Sequence, residues 1–265
     1  MTDVLGRMRE PSALEDGRAF VNGARATPAT TLAPGDVVEV WAARATSDAP
    51  LVILHRSGGI IAVDKPAELP TIADHRGAAS LTSLVALEVG GEPHAISRLD
   101  VGVSGVVVFA TTAEARTALD EATRAGKIEK TYVGIAKGAL PEAGRIDAPV
   151  DGKKAATTYR TIARARGASL VVLTLETGRH HQIREHLASL RSPLFGDRKL
   201  RGPTSVTASD GRVIALERIL LHAARVVLRA GAVSDAPIEI SAPIPQALRE
   251  AWRMLDGADD AWSAL

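Results

Sequence analysis

The run from Val106 to Ala110 constrains the fold of this chain more than any other short stretch of its sequence. Five consecutive apolar residues, three of them β-branched, lie between Gly105 and Thr111, and such a run is typical of a buried β-strand. Asp100 precedes the run by only six residues. A carboxylate beside a core strand loses hydration at a large free-energy cost unless a positive charge or hydrogen-bond donors meet it. The sequence therefore predicts a buried strand with a partnered acid at its entrance.

Strands and helices are interspersed irregularly along the rest of the chain. Strands are predicted at TTYRTIA (157–163), SLVVLTLET (169–177) and AARVVLRA (223–230). Helices are predicted near Ser80–Val89, in the segment TAEARTALDEATRA through about Ala125, and at HHQIREHLASL (180–190). These elements lack the regular βαβ repeat of a doubly wound fold. The pattern therefore predicts an α+β fold built on a mixed sheet.

A small N-terminal β-ribbon module is predicted in residues 1–45, ahead of a larger domain at 51–250, with the linker at Arg44–Pro50. GRAFVNG is typical of a strand that enters an Asn-Gly turn, and VVEVWAA of a second strand after a PGD turn. The order of these elements resembles the latter part of the αL-motif RNA-binding module. That module begins with a basic helix, whereas residues 1–50 here carry five Lys and Arg against seven Asp and Glu. The module either retains a degenerate RNA-binding role or only packs against the larger domain.

Composition narrows the classes of function. The chain has no cysteine, which excludes disulfides, thiolate nucleophiles and Cys-ligated metals. Residues 151–230 carry fifteen Lys and Arg against six Asp and Glu, which suits either a solvated surface or a face that binds phosphate. Phe, Tyr and Trp make up only 3% of the residues, so few aromatic platforms are available for stacking on RNA bases. Neither a membrane-length apolar run nor a signal-peptide pattern is visible, so we expect a cytoplasmic protein with no membrane partner.

Two polar segments adjoin predicted strands: SRLD (97–100) and EKTY (129–132). Asp100 suits either a turn cap or a position facing a cleft. Because Arg98 is two residues from Asp100, the two side chains face the same side of an extended stretch. Lys130 and Tyr132 likewise share one side of a strand. The Tyr132 ring suits either a buried position with a bonded hydroxyl or stacking against a flipped-out base.

A third polar segment, ETGRHHQIREH (176–186), leads into a predicted helix. The backbone N–H groups at its start and the side chains of Gln182 and Arg184 are donors suited to an anion. That anion is a phosphate, a carboxylate or Asp100 itself. Pairing with Asp100 would offset the cost of burying it.

The three histidines of this segment raise the question of a metal site. On a helix, His181 and His186 are five residues apart and share a face poorly. HHQIREH also lacks the His-Glu-x-x-His pattern of zinc proteases. We therefore expect no bound metal.

Five blocks of the sequence, taken together and in this order, resemble the RluA-type RNA pseudouridine synthases. The blocks are KPAELPT (65–71), SRLDVGVSGVVVFA (97–110), EKTYVGIAKG (129–138), LETGRHHQIREHLASLRSPLFGD (175–197) and ILLHAARVVL (219–228). The resemblance covers residues 51–245. It implies the catalytic fold of that family, in which helices flank a mixed, mainly antiparallel sheet.

The resemblance also implies an activity and a set of site residues. Uridine in structured ribosomal or transfer RNA would be isomerised to pseudouridine without a cofactor, with RNA as the partner. Asp100 is then the catalytic carboxylate, Tyr132 contacts the base, Arg184 is the charged partner, and Arg98 helps to fill the space that the extruded uridine leaves. The residues expected to bind substrate are Arg98, Leu99, Ser104, Lys130, Arg179, His181 and Gln182.

Three positions depart from the family pattern. Ser97 and Val103 replace the His and Thr of the first catalytic motif, and His180 replaces a Thr in the later one. Ser97, Val103 and the weak N-terminal module make a catalytically weak or inactive RNA-binding relative the alternative. The retained Asp100 argues against it. A metal hydrolase that uses the late histidines would need carboxylates at ligand spacing, and none is visible in the sequence.

Overall fold

The N-terminal part of the chain forms a small antiparallel sheet. The computed structural model describes residues 19–22, 24–27, 30–40, 50–73 and 79–265. The small sheet contains β1 (Ala19–Val21), β2 (Ala24–Arg25) and β3 (Val38–Val40), with β1 in the centre. Asn22 follows β1, and its positive φ of 51° is typical of Asn in a tight turn. The two strands predicted here are present, whereas most of the predicted linker lies outside the described residues.

A second, ten-stranded sheet carries the rest of the molecule. Its strands are β4 (Val52–Ser57), β5 (Ile60–Lys65), β6 (His94–Ala95), β7 (Ser104–Ala110), β8 (Ile128–Lys137), β9 (Ala143–Ile146), β10 (Thr157–Ala165), β11 (Ala168–Leu175), β14 (Leu221–Leu228) and β15 (Ile238–Ser241). A separate hairpin consists of β12 (Ser205–Thr207) and β13 (Val213–Ala215). The main path runs β4-β5-β7-β14-β8-β11-β10-β9, with β6 beside β7 and β15 beside β14. The pairings of this sheet are antiparallel except the short β7–β14 contact, so the predicted mixed α+β fold is confirmed.

Helices cover both faces of this sheet. They are α1 (Leu81–Val89), α2 (Ala113–Arg124), α3 (Gln182–Ser189) and α4 (Gln246–Met254), with 3-10 turns at Arg198–Leu200 and Asp259–Ala264. Helices α1 and α3 share one apolar core with β7 and β8, while α2 packs on a second core with the opposite face of β7. The side chains of Ser80 and Thr112 cap α1 and α2, as hydroxyl residues favour at helix starts. No helix in the described ranges is both long and apolar enough to span a bilayer.

The parallel β7–β14 contact sets the position of the loop that carries Asp100. All seven residues of β7 are buried, as the apolar run predicts. Gly105 in this strand has φ of 116°, and a Cβ atom there would overlap the backbone of Ala223 in β14. Glycine therefore lets the two strands approach closely enough to pair. The loop before β7 consequently ends against β14, beside the middle of the sheet.

Candidate active site

A cavity of about 370 Å³ opens where the loop before β7 meets β8 and the start of α3. Eight residues named from the sequence line its wall: Arg98, Leu99, Asp100, Tyr132, Arg179, His181, Gln182 and Arg184. They come from the loop before β7, from β8 and from the α3 region. The sheet and α3 therefore bring most of the predicted site residues into one place.

Arg184 lies between two carboxylates. Its Nη1 donates to Asp100 Oδ2 at 2.8 Å, while Nε and Nη2 donate to Asp197 Oδ2 and Oδ1 at 2.6 and 2.9 Å. The Asp100 side chain is 20% exposed to the cavity, whereas the side chain of Asp197 is 1% exposed. The predicted contact between Asp100 and Arg184 is thus confirmed. The two hydrogen bonds from Arg184 to Asp197 fix the orientation in which Arg184 contacts Asp100.

The two carboxylates keep Arg184 charged in spite of its burial. Burial alone would lower the pKa of Arg184, but the hydrogen bonds from its guanidinium to Asp197 and Asp100 raise that pKa above its ordinary value. One guanidinium faces two carboxylates, so the trio has one negative charge in excess. That excess charge is available at Asp100, the carboxylate with access to the cavity.

Tyr132 lies beside this charge on β8. The residue is 6% exposed, and burial, together with the negative charge of Asp100, raises the pKa of its hydroxyl. The phenol therefore stays protonated near neutral pH. Its ring and its neutral hydroxyl are what it offers to a bound molecule, which argues against a phenolate base.

Backbone contacts from the segment after β5 hold the Asp100 loop. The buried Thr71 hydroxyl donates to the carbonyl of Leu99 at 2.9 Å and accepts from the N–H of Leu99 at 3.0 Å. Two residues along the loop, the carbonyl of Val101 accepts from Lys65 Nζ at 3.2 Å. Asp100 therefore lies between two anchored peptide groups. Neither Thr71 nor Lys65 was singled out from the sequence, because contacts with backbone atoms leave no charge pattern to read.

We expect Thr71→Val to lower kcat at least tenfold with a smaller change in KM. Valine has nearly the same shape but leaves two buried peptide groups of Leu99 without a partner, at a cost of about 1–3 kcal/mol for each group. The loop would then no longer hold Asp100 in one place. Thr71→Ser keeps the hydroxyl and should recover most of the lost kcat. Steady-state kinetics of both variants provide the measurement, and an unchanged kcat in the valine variant would mean that Thr71 does not position the loop.

Ser104, expected to bind substrate, lies outside the cavity wall. Its hydroxyl accepts from Arg218 Nη2 at 2.8 Å and lies 2.7 Å from His222 Nδ1. The hydroxyl can donate to His222 Nδ1 or accept from it, depending on the tautomer of the imidazole. Ser104 thus ties β7 to β14 instead of facing a ligand.

The pH dependence of stability should reveal the buried His222. Burial, reinforced by the positive charge of Arg218, lowers the pKa of His222 to about 4, although a backbone hydrogen bond at Ala242 opposes the change. The unfolded chain binds this proton near pH 6.5 and the folded protein only near pH 4. Stability is therefore lost as the pH falls through this window, by up to about 3 kcal/mol.

Urea unfolding of wild type and His222→Asn between pH 7 and 4 would measure this contribution. Asparagine keeps an acceptor near the Nδ1 position but does not titrate, so the variant should lose less stability on acidification. The same substitution at the half-buried His94 is the matched control. Parallel pH profiles for wild type and His222→Asn would contradict the expectation.

Three other predicted substrate-binding residues have defined positions. Lys130 is half-buried on β8 outside the cavity wall, and burial lowers its pKa to about 8. Gln182 is 2% exposed, and its amide nitrogen donates to the carbonyl of Ala156 and to the hydroxyl of Thr157. Its amide oxygen accepts two hydrogen bonds from the segment before α3. The exposed Arg179 donates to the carbonyl of Lys154. Gln182 therefore holds α3 in place, while the guanidinium of Arg179 lies at the rim.

The histidines are arranged differently from one continuous helix. Helix α3 begins at Gln182, and His181 before it has φ of 56°. His186 is buried, with its ring nitrogens near Thr157 Oγ1 and the carbonyl of Ala148, so it does not join the others. Instead, one ligand atom each from Asp100, His180 and His181 lie within 4.8 Å of one another. Arg184 already donates to Asp100, and Lys199 Nζ lies 3.5 Å from His181 Nδ1. These two positive charges beside the trio oppose the binding of a cation.

Asp197 is the main residue of the site that was not singled out from the sequence. It lies within the block LETGRHHQIREHLASLRSPLFGD, thirteen residues after Arg184. The signal that could have identified it is the acid in LFGD, which follows apolar residues much as Asp100 precedes them. A buried arginine that serves a partly exposed acid needs a second, more deeply buried partner, and this acid is available nearby.

Comparison with known proteins identifies the class of enzyme to which this fold and site belong. Residues 59–189 match the family described as RNA pseudouridylate synthase. The chain is 34% identical to the ribosomal large subunit pseudouridine synthase D of Xanthomonas campestris pv. campestris, over 92% of this chain and 83% of that protein. It is 31% identical to an uncharacterized RNA pseudouridine synthase of Mycobacterium bovis, over 96% of this chain and 91% of the other.

The chain belongs to the RNA pseudouridine synthase family, and within it to the RluA type. Solved structures agree on the fold. The structure titled human RNA pseudouridylate synthase domain containing 4 superposes with a TM-score of 0.61 and 22% identity, over 77% of this chain and 93% of that one. The structure titled human RNA pseudouridylate synthase domain containing 1 superposes with a TM-score of 0.60 and 20% identity, over 76% of this chain and 87% of that one.

Proposed function

We propose that this enzyme isomerises uridine to pseudouridine in ribosomal RNA, with Asp100 as the catalytic carboxylate and without a cofactor. The observation that carries the proposal is the partly exposed Asp100, held by Arg184 and Thr71 at the wall of a cavity that also contains Tyr132. Ribosomal RNA is preferred over transfer RNA because relatives from Xanthomonas campestris and Vibrio vulnificus are named for the large ribosomal subunit. We also propose a cytoplasmic location, where that RNA is available.

The reaction rearranges bonds within one nucleotide. The bond from ribose carbon 1 to ring nitrogen 1 breaks, the uracil turns, and ring carbon 5 bonds to the same ribose carbon. Ring carbon 5 then loses its proton and nitrogen 1 gains one, so the product is an isomer of the substrate. An ionised carboxylate can act on the ribose as nucleophile or as base, and Arg184 stabilises that ionised form.

A base stacked inside a helix is out of reach of the site, so the uridine has to be unpaired or flipped out. Flipping costs a few kcal/mol. Contacts between RNA phosphates and the Lys and Arg side chains of residues 151–230 would offset part of that cost. Tyr132 would pack against the uracil ring. Arg98, exposed at the rim, would occupy the space that the base leaves.

Release of tritium from RNA labelled at carbon 5 of uridine measures the reaction directly. We would assay ribosomal and transfer RNA separately, in potassium buffer with EDTA and without added cofactor. Mapping pseudouridines in cells with and without the protein identifies the position. Tritium release from transfer RNA alone would replace the proposed substrate. Binding without release from either RNA would favour the inactive relative suggested by Ser97 and Val103.

Deleting residues 1–50 should weaken RNA affinity by less than tenfold, or about 1.4 kcal/mol. The five basic residues of this segment are outnumbered by seven acids, so it neutralises few phosphates. Fluorescence anisotropy with labelled RNA, at two salt concentrations, provides the measurement. A loss of a hundredfold or more would show that the N-terminal module is a main RNA contact.

A further inference from the structure

A second cavity adjoins the candidate active site on the other side of Asp100. It is open to solvent and has about 680 Å³ of empty space. Its wall shares four residues with the wall of the first cavity: Arg98, Leu99, Asp100 and His181. The backbone that carries Asp100 thus separates two neighbouring spaces. A ribose held beside Asp100 would have its phosphodiester link, and the next nucleotide, within reach of the second space.

The wall of this second cavity contains both apolar and aromatic side chains. Pro70 and Ile72 contribute apolar surface, and Ile72 is 47% exposed. His180 and His181 contribute two rings with their centroids 3.6 Å apart and their planes inclined by 32°. Apolar surface and aromatic rings are what a nucleobase packs against with its faces.

The histidines are the stacking surface available in the second cavity, because the larger aromatics are buried outside its wall. Within the described residues, each Phe, Tyr and Trp is at most 7% exposed: Phe20, Phe109, Tyr132, Tyr159, Phe195, Trp252 and Trp262. His180, by contrast, is exposed. Its imidazole is therefore a π-face that an incoming base can reach beside Asp100.

The charges around the second cavity suit a nucleotide better than a cation. Arg98 lies at its wall, the exposed Lys199 approaches His181, and the N-terminus of α3 begins at the next residue. Each of these favours a phosphate oxygen. The same charges oppose the metal ion that the trio of Asp100, His180 and His181 could otherwise hold.

We infer that the second cavity binds an unpaired nucleotide next to the target uridine, with His180 stacked on its base. The inference rests on the proposed function, because it assumes that Asp100 marks the position of the target ribose. Base stacking here would make the nucleotide beside the target part of what the enzyme recognises.

Binding to a matched set of two RNA probes separates the His180 contact from the rest of the interface. The probes are two single-stranded RNAs, one with an intact base on each side of a central uridine and one with both flanking bases removed. In the Asp100→Asn background, which should prevent turnover, His180→Ala should weaken binding to the intact RNA by three- to tenfold. On the abasic RNA it should have no effect. His94→Ala should change neither affinity.

Substitutions at position 180 distinguish stacking from charge. His180→Tyr should match or exceed the affinity of the histidine, because it offers a larger π-face, whereas His180→Thr should bind as weakly as the alanine variant. If His180→Lys retains the affinity and His180→Tyr does not, the residue contacts a phosphate and the inference is wrong. Equal losses on intact and abasic RNA would also overturn it. Because affinity is measured without turnover, absence of tritium release would count against the proposed function and not against this subsite.

Discussion

Asp100→Asn should abolish uridine isomerisation while leaving RNA affinity within about threefold of wild type. The amide has almost the volume of the carboxylate and still offers an oxygen to Arg184, so the cavity should keep its shape. It lacks the negative charge that would attack the ribose or remove a proton from it. We expect the rate to fall on the order of a thousandfold or more, about 4 kcal/mol in the barrier.

Tritium release and anisotropy on the same RNA would measure both effects. Asp120→Asn is a matched control, because Asp120 lies on α2, which packs against the sheet face opposite the Asp100 loop. That variant should keep full activity. An Asp100→Asn enzyme that still releases tritium at the wild-type rate would remove Asp100 from the mechanism.

Arg184→Met should lower the single-turnover rate by about a hundredfold or more. The substitution leaves Asp100 without its cation and the buried Asp197 with only the N–H of Leu200 as a partner. Breaking a buried ion pair by removing one side costs about 3–5 kcal/mol of stability, so this variant alone could lose activity by unfolding. A second variant is therefore needed to separate folding from chemistry.

Arg184→Met combined with Asp197→Asn removes the buried uncompensated charge and should recover most of the stability. It should remain slow, because Asp100 still lacks its cation. Arg184→Lys should keep more activity than Met, since it retains a positive charge but cannot make the forked contact with Asp197. Thermal melts and single-turnover rates on all three proteins provide the test. A double variant with the wild-type rate would show that Arg184 has only a structural role.

Local patterns in the sequence were sufficient for most of the secondary structure and for the partnered acid. The apolar run at β7 and the strand spacing of Tyr132 both act within a few residues. The predicted burial of Asp100 required a positively charged partner. Arg184 was a candidate because its guanidinium lies in a segment whose donors suit an anion. These features depend on short-range periodicity and on the cost of desolvating a charge, both of which can be judged without coordinates.

The tertiary structure alone decided which partners these residues have. Asp197 reaches Arg184 because the loop after α3 turns back on the helix. Ser104 faces His222 across the parallel contact of β7 with β14, a pairing of residues 118 positions apart that no local pattern encodes. Helix α3 begins after His181, which turns the histidine rings toward a second cavity. Periodicity specifies which face of an element is apolar, whereas the neighbour on that face depends on how distant elements pack.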